Sequence, residues 1–137
     1  MIKFTIIGKP KALKRHRPSA RGGYYDPSSK DKKDVLLQIA KFKPKQPFVG
    51  NIYLTLRLSM PRPKSHYRTG KYKHLLKDSS PELHSVKPDL SNMVKLYEDI
   101  LQPDFYVDDS QICVLNCYKD YIQHGKEPET YVRIEEI

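Results

Sequence analysis

Two short stretches of this 137-residue chain concentrate side chains able to hold a cation or handle a phosphate. The first is Lys87-Pro-Asp-Leu-Ser-Asn-Met-Val-Lys-Leu-Tyr-Glu-Asp-Ile-Leu101. Leu90, Met93, Val94, Tyr97, Ile100 and Leu101 recur at helical spacing, which predicts a helix over Asp89–Leu101 with one apolar face. Asn92, Lys95 and Asp99 fall at i, i+3 and i+7 and line up on the opposite face. Asp89 opens the helix, where capping free N–H groups is the commonest use of an aspartate. The second stretch is Tyr106-Val-Asp108-Asp109-Ser-Gln-Ile112, two adjacent acids at the mouth of an expected strand. Turn formation accounts for many such pairs. Neighbouring carboxylates also repel unless a cation joins them, so an Mg²⁺ site is the functional reading. If the helix start lies beside the strand mouth, Asp89 and Asp109 meet around the ion and Lys95 points to the same spot.

Other chemistries fit poorly. The histidines at 16, 66, 74, 84 and 124 show no ligand spacing, and two cysteines cannot complete a zinc site. Cys113 and Cys117 should share a strand face as small apolar packers. The longest uncharged stretch, Gln46–Leu56, is too short to cross a bilayer, and Lys3 interrupts any signal-peptide core. These features predict a cytoplasmic protein with reduced thiols and no membrane partner. Charge is segregated: residues 1–77 hold twenty Lys and Arg against three acids, and residues 78–137 hold five against thirteen. One half is suited to collecting an anionic polymer, while the other concentrates carboxylates. Tight clustering of the cations favours nucleic acid over a merely soluble basic surface.

The elements that must position these residues can be read from periodicity. Ile2–Ile7 predicts a strand stopped by Gly8 and Pro10. A helix should run from Ser28 or Ser29 to about Phe42, with Val35, Leu36, Ile39 and Phe42 buried. Ile52, Leu54, Leu56, Leu58 and Met60 alternate with Tyr53, Thr55, Arg57 and Ser59, the clearest strand in the chain. Strands at 111–119 and 130–136 should close it as an antiparallel hairpin, and the first crossover should be parallel. The expected fold is α+β: one two-layer domain over residues 1–137, a four-stranded mixed sheet under two helices, in the order β-α-β-α-β-β. Residues 9–26 and 61–88 are expected to be mobile basic loops. Tyr67 and Tyr72 are interleaved with the cations of the second loop and could stack on unpaired bases.

These residues resemble the RusA family of Holliday-junction resolvases, small dimeric endodeoxyribonucleases often carried by prophages. The pattern reads Lys87-Pro88-Asp89-Leu90-Ser91-Asn92, then Lys95, then Asp108-Asp109-Ser110-Gln111-Ile112. Phe4-Thr-Ile-Ile-Gly8-Lys-Pro10, Met60-Pro-Arg-Pro-Lys-Ser65 and the closing strand are similar as well. Two separated motifs at the right distance are a specific signal. The resemblance implies catalytic roles for Asp89, Lys95 and Asp109, with Mg²⁺ (or Mn²⁺ in its place) held by Asp89, Asp109 and Asp108. Asn92, Asp99 and Ser91 would support them. Ser91 departs from the family, which usually places an aspartate there, so one carboxylate is lost.

The implied reaction is Mg²⁺-dependent phosphodiester hydrolysis of four-way junctions in recombination and repair, in a bacterial or phage-infected cell. Two equivalent strands must be cut, which calls for a homodimer. Lys9, Lys11, Lys14, Arg15, Arg17 and Arg21 would grip DNA from the first loop, and Arg62, Lys64, Arg68, Lys71 and Lys73 from the second. The alternative is a junction-binding protein whose catalysis is weakened or lost through Ser91.

Overall fold

The strands are β1 (Ile2–Ile7), β2 (Arg17–Pro18), β3 (Tyr24–Tyr25), β4 (Ile52–Met60), β5 (Ile112–Tyr121) and β6 (Glu129–Glu136). The helices are α1 (Ser29–Ile39), continued by a 3₁₀ turn over Ala40–Phe42, and α2 (Leu90–Leu101). This computed structural model describes residues 1–14, 17–20 and 22–137, with the backbone alone at Arg17 and Tyr24. The chain is α+β, with a four-stranded mixed sheet in the order β1-β6-β4-β5 and a separate β2-β3 ribbon.

Strand β4 is central because its alternation is the most apolar. Ile52, Leu54, Leu56, Leu58 and Met60 all point into the core and are buried. Phe4 and Ile6 of β1 and Val132 and Ile134 of β6 continue the same face, which α1 and α2 cover with Val35, Ile39, Met93, Val94, Tyr97, Ile100 and Leu101. The expected stripe of α1 is buried at Val35 and Ile39 and partly buried at Leu36 and Phe42. Leu96 is also fully buried, so the apolar face of α2 is wider than its spacing indicated. The reason is that α2 packs against both the sheet and neighbouring loops rather than along one seam.

One expectation on pairing is corrected. Strands β5 and β6 do not form a hairpin, because β4 lies between them, parallel to β5 and antiparallel to β6. The seven residues linking them are enough to step over one strand, about 10 Å in two interstrand spacings. The first crossover is parallel as expected, since β1 and β4 are both antiparallel to β6, but β6 lies between them. A register shift after Ile52 leaves Cys113 as the extra residue of a bulge. Cys113 is therefore exposed, while Cys117 is half-buried, and the two do not pack as a pair.

Strand β5 lies at the sheet edge. Its far half is covered by residues 82–84: Tyr121 N–H donates to Glu82 O, and His84 N–H to Lys119 O. Its near half carries Val114, Leu115 and Tyr118, all well exposed. Among the described residues no helix is long and apolar enough to cross a membrane.

Leu56→Ala removes a fully buried side chain from the strand that every other layer packs on. It should cost about 3 kcal/mol in urea unfolding. Leu37→Ala, at a position 79% exposed on α1, should change stability by under about 0.5 kcal/mol. Equal effects would contradict the layer arrangement.

Candidate active site

Asp89 is the N-cap residue of α2, and its carbonyl accepts from Asn92 and Met93 N–H. Its side chain makes no capping hydrogen bond and is exposed, and no described residue pairs with it. The residues before it are pinned from below, because Lys119 Nζ donates to Val86 O and Pro88 O, both at 2.7 Å. The start of α2 is thus tied to the far end of β5.

The second motif folds as a single 3₁₀ turn, Asp109–Gln111, with Asp108 as its cap. Asp108 accepts from Ser110 N–H at 3.0 Å, and Gln111 Oε1 accepts from Asp108 N–H at 2.8 Å, a reciprocal capping box. Gln111 Nε2 ties the turn to Phe48 O and Gly50 O. Gln102, just past the end of α2, grips both acids: its Oε1 accepts from Asp109 N–H at 2.9 Å and its Nε2 donates to Asp108 at 3.4 Å. The Ser110 bonds hold the Asp108 carboxyl below the usual range. Asp108 is therefore taken up by the turn, and the Asp109 carboxylate is left free and exposed.

The two free carboxylates do not meet within one chain. Helix α2 spans 12 residues, roughly 18 Å at its usual rise. Asp89 stands at its first end and Asp109 backs onto Gln102 at its last. The sequence expectation of a helix start beside the strand mouth is reversed, because α2 runs antiparallel to β5, with its start at Lys119 and its end at Asp109. Among the described residues no group of three or more acids, histidines or cysteines could hold a metal ion. Within one copy Asp89 and Asp109 stand too far apart to share a cation.

At the Asp109 end the carboxylate neighbour is Glu98, which sequence reading passed over. Burial pushes its carboxyl up, Asp109 and Asp99 add to the shift, and Lys95 opposes it. The heptad-like spacing Leu90, Val94, Glu98 was the available signal, since it puts an acid on a helix flank otherwise apolar. Asp99 pairs with Lys32 at 3.5 Å, and Lys32 also holds Asp26 at 2.7 Å. Burial works against the Lys32 charge, but those two acids outweigh it and raise its pKa. Ser91, Asn92 and Lys95 are exposed on α2. Between α2 and the edge of β5 runs an apolar groove of about 560 Å³ lined by Leu90, Ser91, Val94, Lys95, Glu98, Leu115 and Cys117.

The basic segments flank the Asp89 end. Lys11 N–H donates to Tyr97 Oη, and Leu13 N–H to Asn92 O, so the chain at Lys9–Lys14 lies across the first half of α2. Lys9, Lys11 and Lys14 are exposed there. Arg15 and Arg21, and the side chain of Arg17, lie outside the described residues. In the second segment Lys64, Arg68, Lys71 and Lys73 are exposed. Arg62 is occupied by Ile122 O and Pro81 O. Its guanidinium also lies over Tyr121, whose ring is flanked by His66 at 4.6 Å and His84 at 4.8 Å.

The chain belongs to the RusA family: the model of endodeoxyribonuclease RusA matches residues 8–135. Uncharacterized protein YqaN of Bacillus subtilis (strain 168) is 33% identical over 141 residues, covering 99% of this chain and 96% of YqaN.

His84 is buried, and its Nδ1 has no hydrogen-bond partner among the described residues. Burial pushes its pKa down, helped by the charges of Lys119 and Lys9; burial, Arg62 and Lys77 lower that of His66. Because the unfolded chain takes up these protons first, stability should be full above about 6.5 and fall as pH drops below it. Thermal melts across that range should show the fall, and His84→Leu should flatten part of it. An unchanged slope in the variant would exclude the linkage.

Proposed function

We propose that this protein is a homodimeric endodeoxyribonuclease that cuts four-way DNA junctions, each active centre being shared between two copies. The observation that carries this reading is the free Asp89 carboxylate at a helix start that ordinarily consumes it, in a chain of the RusA family. A helix length separates it from Asp109, so both can serve one phosphate only if a second copy supplies the missing end. Two copies with antiparallel α2 helices bring Asp89 of one protomer to Asp109 of its partner, twice over, about a two-fold axis. The apolar groove and the uncovered half of β5 support the same pairing, since both leave Leu90, Val94, Leu115 and Cys117 a surface to bury.

Mg²⁺, or Mn²⁺ in its place, held by those two aspartates would supply a Lewis acid and lower the pKa of bound water. The chain's own groups do the rest. Lys95, on the exposed face of α2, offsets charge that develops on the phosphate oxygens. Asp108, Gln102 and Gln111 hold Asp109 outward. Ser91 brings no charge where the family carries an aspartate, and Glu98 stands beside Asp109 as a further carboxyl group. Lys9, Lys11 and Lys14 neutralise phosphates near Asp89, a contact that is blind to sequence and weakens with salt.

Asp109→Asn should abolish cleavage of a labelled junction while leaving its binding within about twofold, because the carboxylate lies in no fold-holding bond. Asp89→Asn should behave alike. Mixing the two inactive variants should restore nicking to roughly a quarter of the wild-type sites, since half of random dimers carry one intact centre. Sites contained within one chain would stay dead in the mixture. A wild type that binds junctions but never cuts them with Mg²⁺ or Mn²⁺ would favour the reading in which Ser91 has cost the protein its catalysis.

A further inference from the structure

Residues 62–77 carry six Lys and Arg and no acid. They form a cross-bonded finger. Arg68 N–H donates to Leu75 O at 2.8 Å and Lys77 N–H to His66 O at 2.9 Å, while Tyr67 bridges antiparallel to Leu76. At the tip, Gly70 at φ +66° opens a 3₁₀ turn over Gly70–Tyr72. Lys73 N–H to Gly70 O and Leu75 N–H to Tyr72 O close it. The root is anchored by Arg62, at 2.7 Å from Ile122 O and 2.8 Å from Pro81 O. A finger bonded along its length and fixed at its base presents its tip in one attitude.

On that tip Tyr72 is 50% exposed and Leu75 37% exposed, and neither belongs to the core. The contact of the Tyr72 ring is the Lys71 ammonium, 5.1 Å from its centroid. The finger leaves from the far ends of β4 and β5 and returns through residues 82–84 along β5 directly into Asp89. The root of the finger and the free carboxylate therefore share one pole of the molecule.

We propose that Tyr72 recognises the branch point of the DNA, stacking on a base left unpaired where the arms diverge; this rests on the junction reading above. Cations alone do not separate a junction from a duplex, because both offer phosphates at similar density. A ring does separate them, since base faces are closed within a duplex stack and open only where stacking is broken. The Lys71 ammonium covers one face of the ring and meets the phosphate next to a base stacked on the other face.

The test uses four-way junctions carrying 2-aminopurine at the branch point or mid-arm, and a linear duplex of the same sequence, titrated without divalent metal. Wild type should change the branch-point fluorescence and leave the mid-arm signal alone. Tyr72→Ala should lose that change and bind the junction about tenfold more weakly, with duplex affinity unchanged as the sign of an intact fold. Tyr72→Phe should keep both properties. A Tyr72→Ala protein that retains the signal and the affinity, or that loses junction and duplex binding equally, overturns the role of Tyr72. Wild type with no preference for junction over duplex would remove the junction reading itself, and this role with it.

Discussion

The direction in which α2 lies on the sheet governs everything else about this molecule. Its apolar face, Met93 to Leu101, is buried against the core, and residues 102–111 carry the chain from its end to β5. The first turn of α2 sits at Lys119 near the end of β5, and its last residues sit at Asp109 before the start of β5, so α2 and β5 are antiparallel. That constraint sends the two acid-bearing motifs to opposite poles, although they are near neighbours in sequence. It also leaves a groove between helix and edge strand that is apolar at its centre and charged at both ends.

Each pole is then built by ordinary backbone chemistry. At one, Lys119 ties the residues before Asp89 to the sheet, so the carboxylate need not hold the helix start together. At the other, Asp108 satisfies the turn with help from Gln102 and Gln111, and the adjacent acid is left over. At the second pole a neighbouring residue performs the structural task that an aspartate usually performs. The free charge is affordable because both groups are well solvated, where an unpaired carboxylate costs little.

Cations follow the same polarity. The first basic segment crosses the beginning of α2, and the second leaves and rejoins the fold beside it, so positive charge gathers around Asp89. Glu98, Asp99, Asp108 and Asp109 gather at the other end of the helix. A monomer is thus a dipole in its surface chemistry, basic and acidic ends being separated by an apolar strip. In the proposed dimer, two copies laid head to tail would set basic ends against acidic ones.

Much of this was legible in the residues themselves. Period-two and helical spacing located β1, β4, α1 and α2 nearly to the residue, because each buries one face and local geometry alone determines which side chains share it. The paired motifs, the basic segments and the family likeness were also visible there. What only the tertiary structure decided was adjacency: that β4 separates β5 from β6, that a bulge turns Cys113 outward, that Leu96 is covered, and that Asp89 and Asp109 stand apart. Spacing along a chain specifies which way a side chain faces on its own element, whereas the direction and neighbours of that element depend on packing against residues distant in sequence. For that reason the acid-bearing motifs could be named from the sequence, and the distance between them could not.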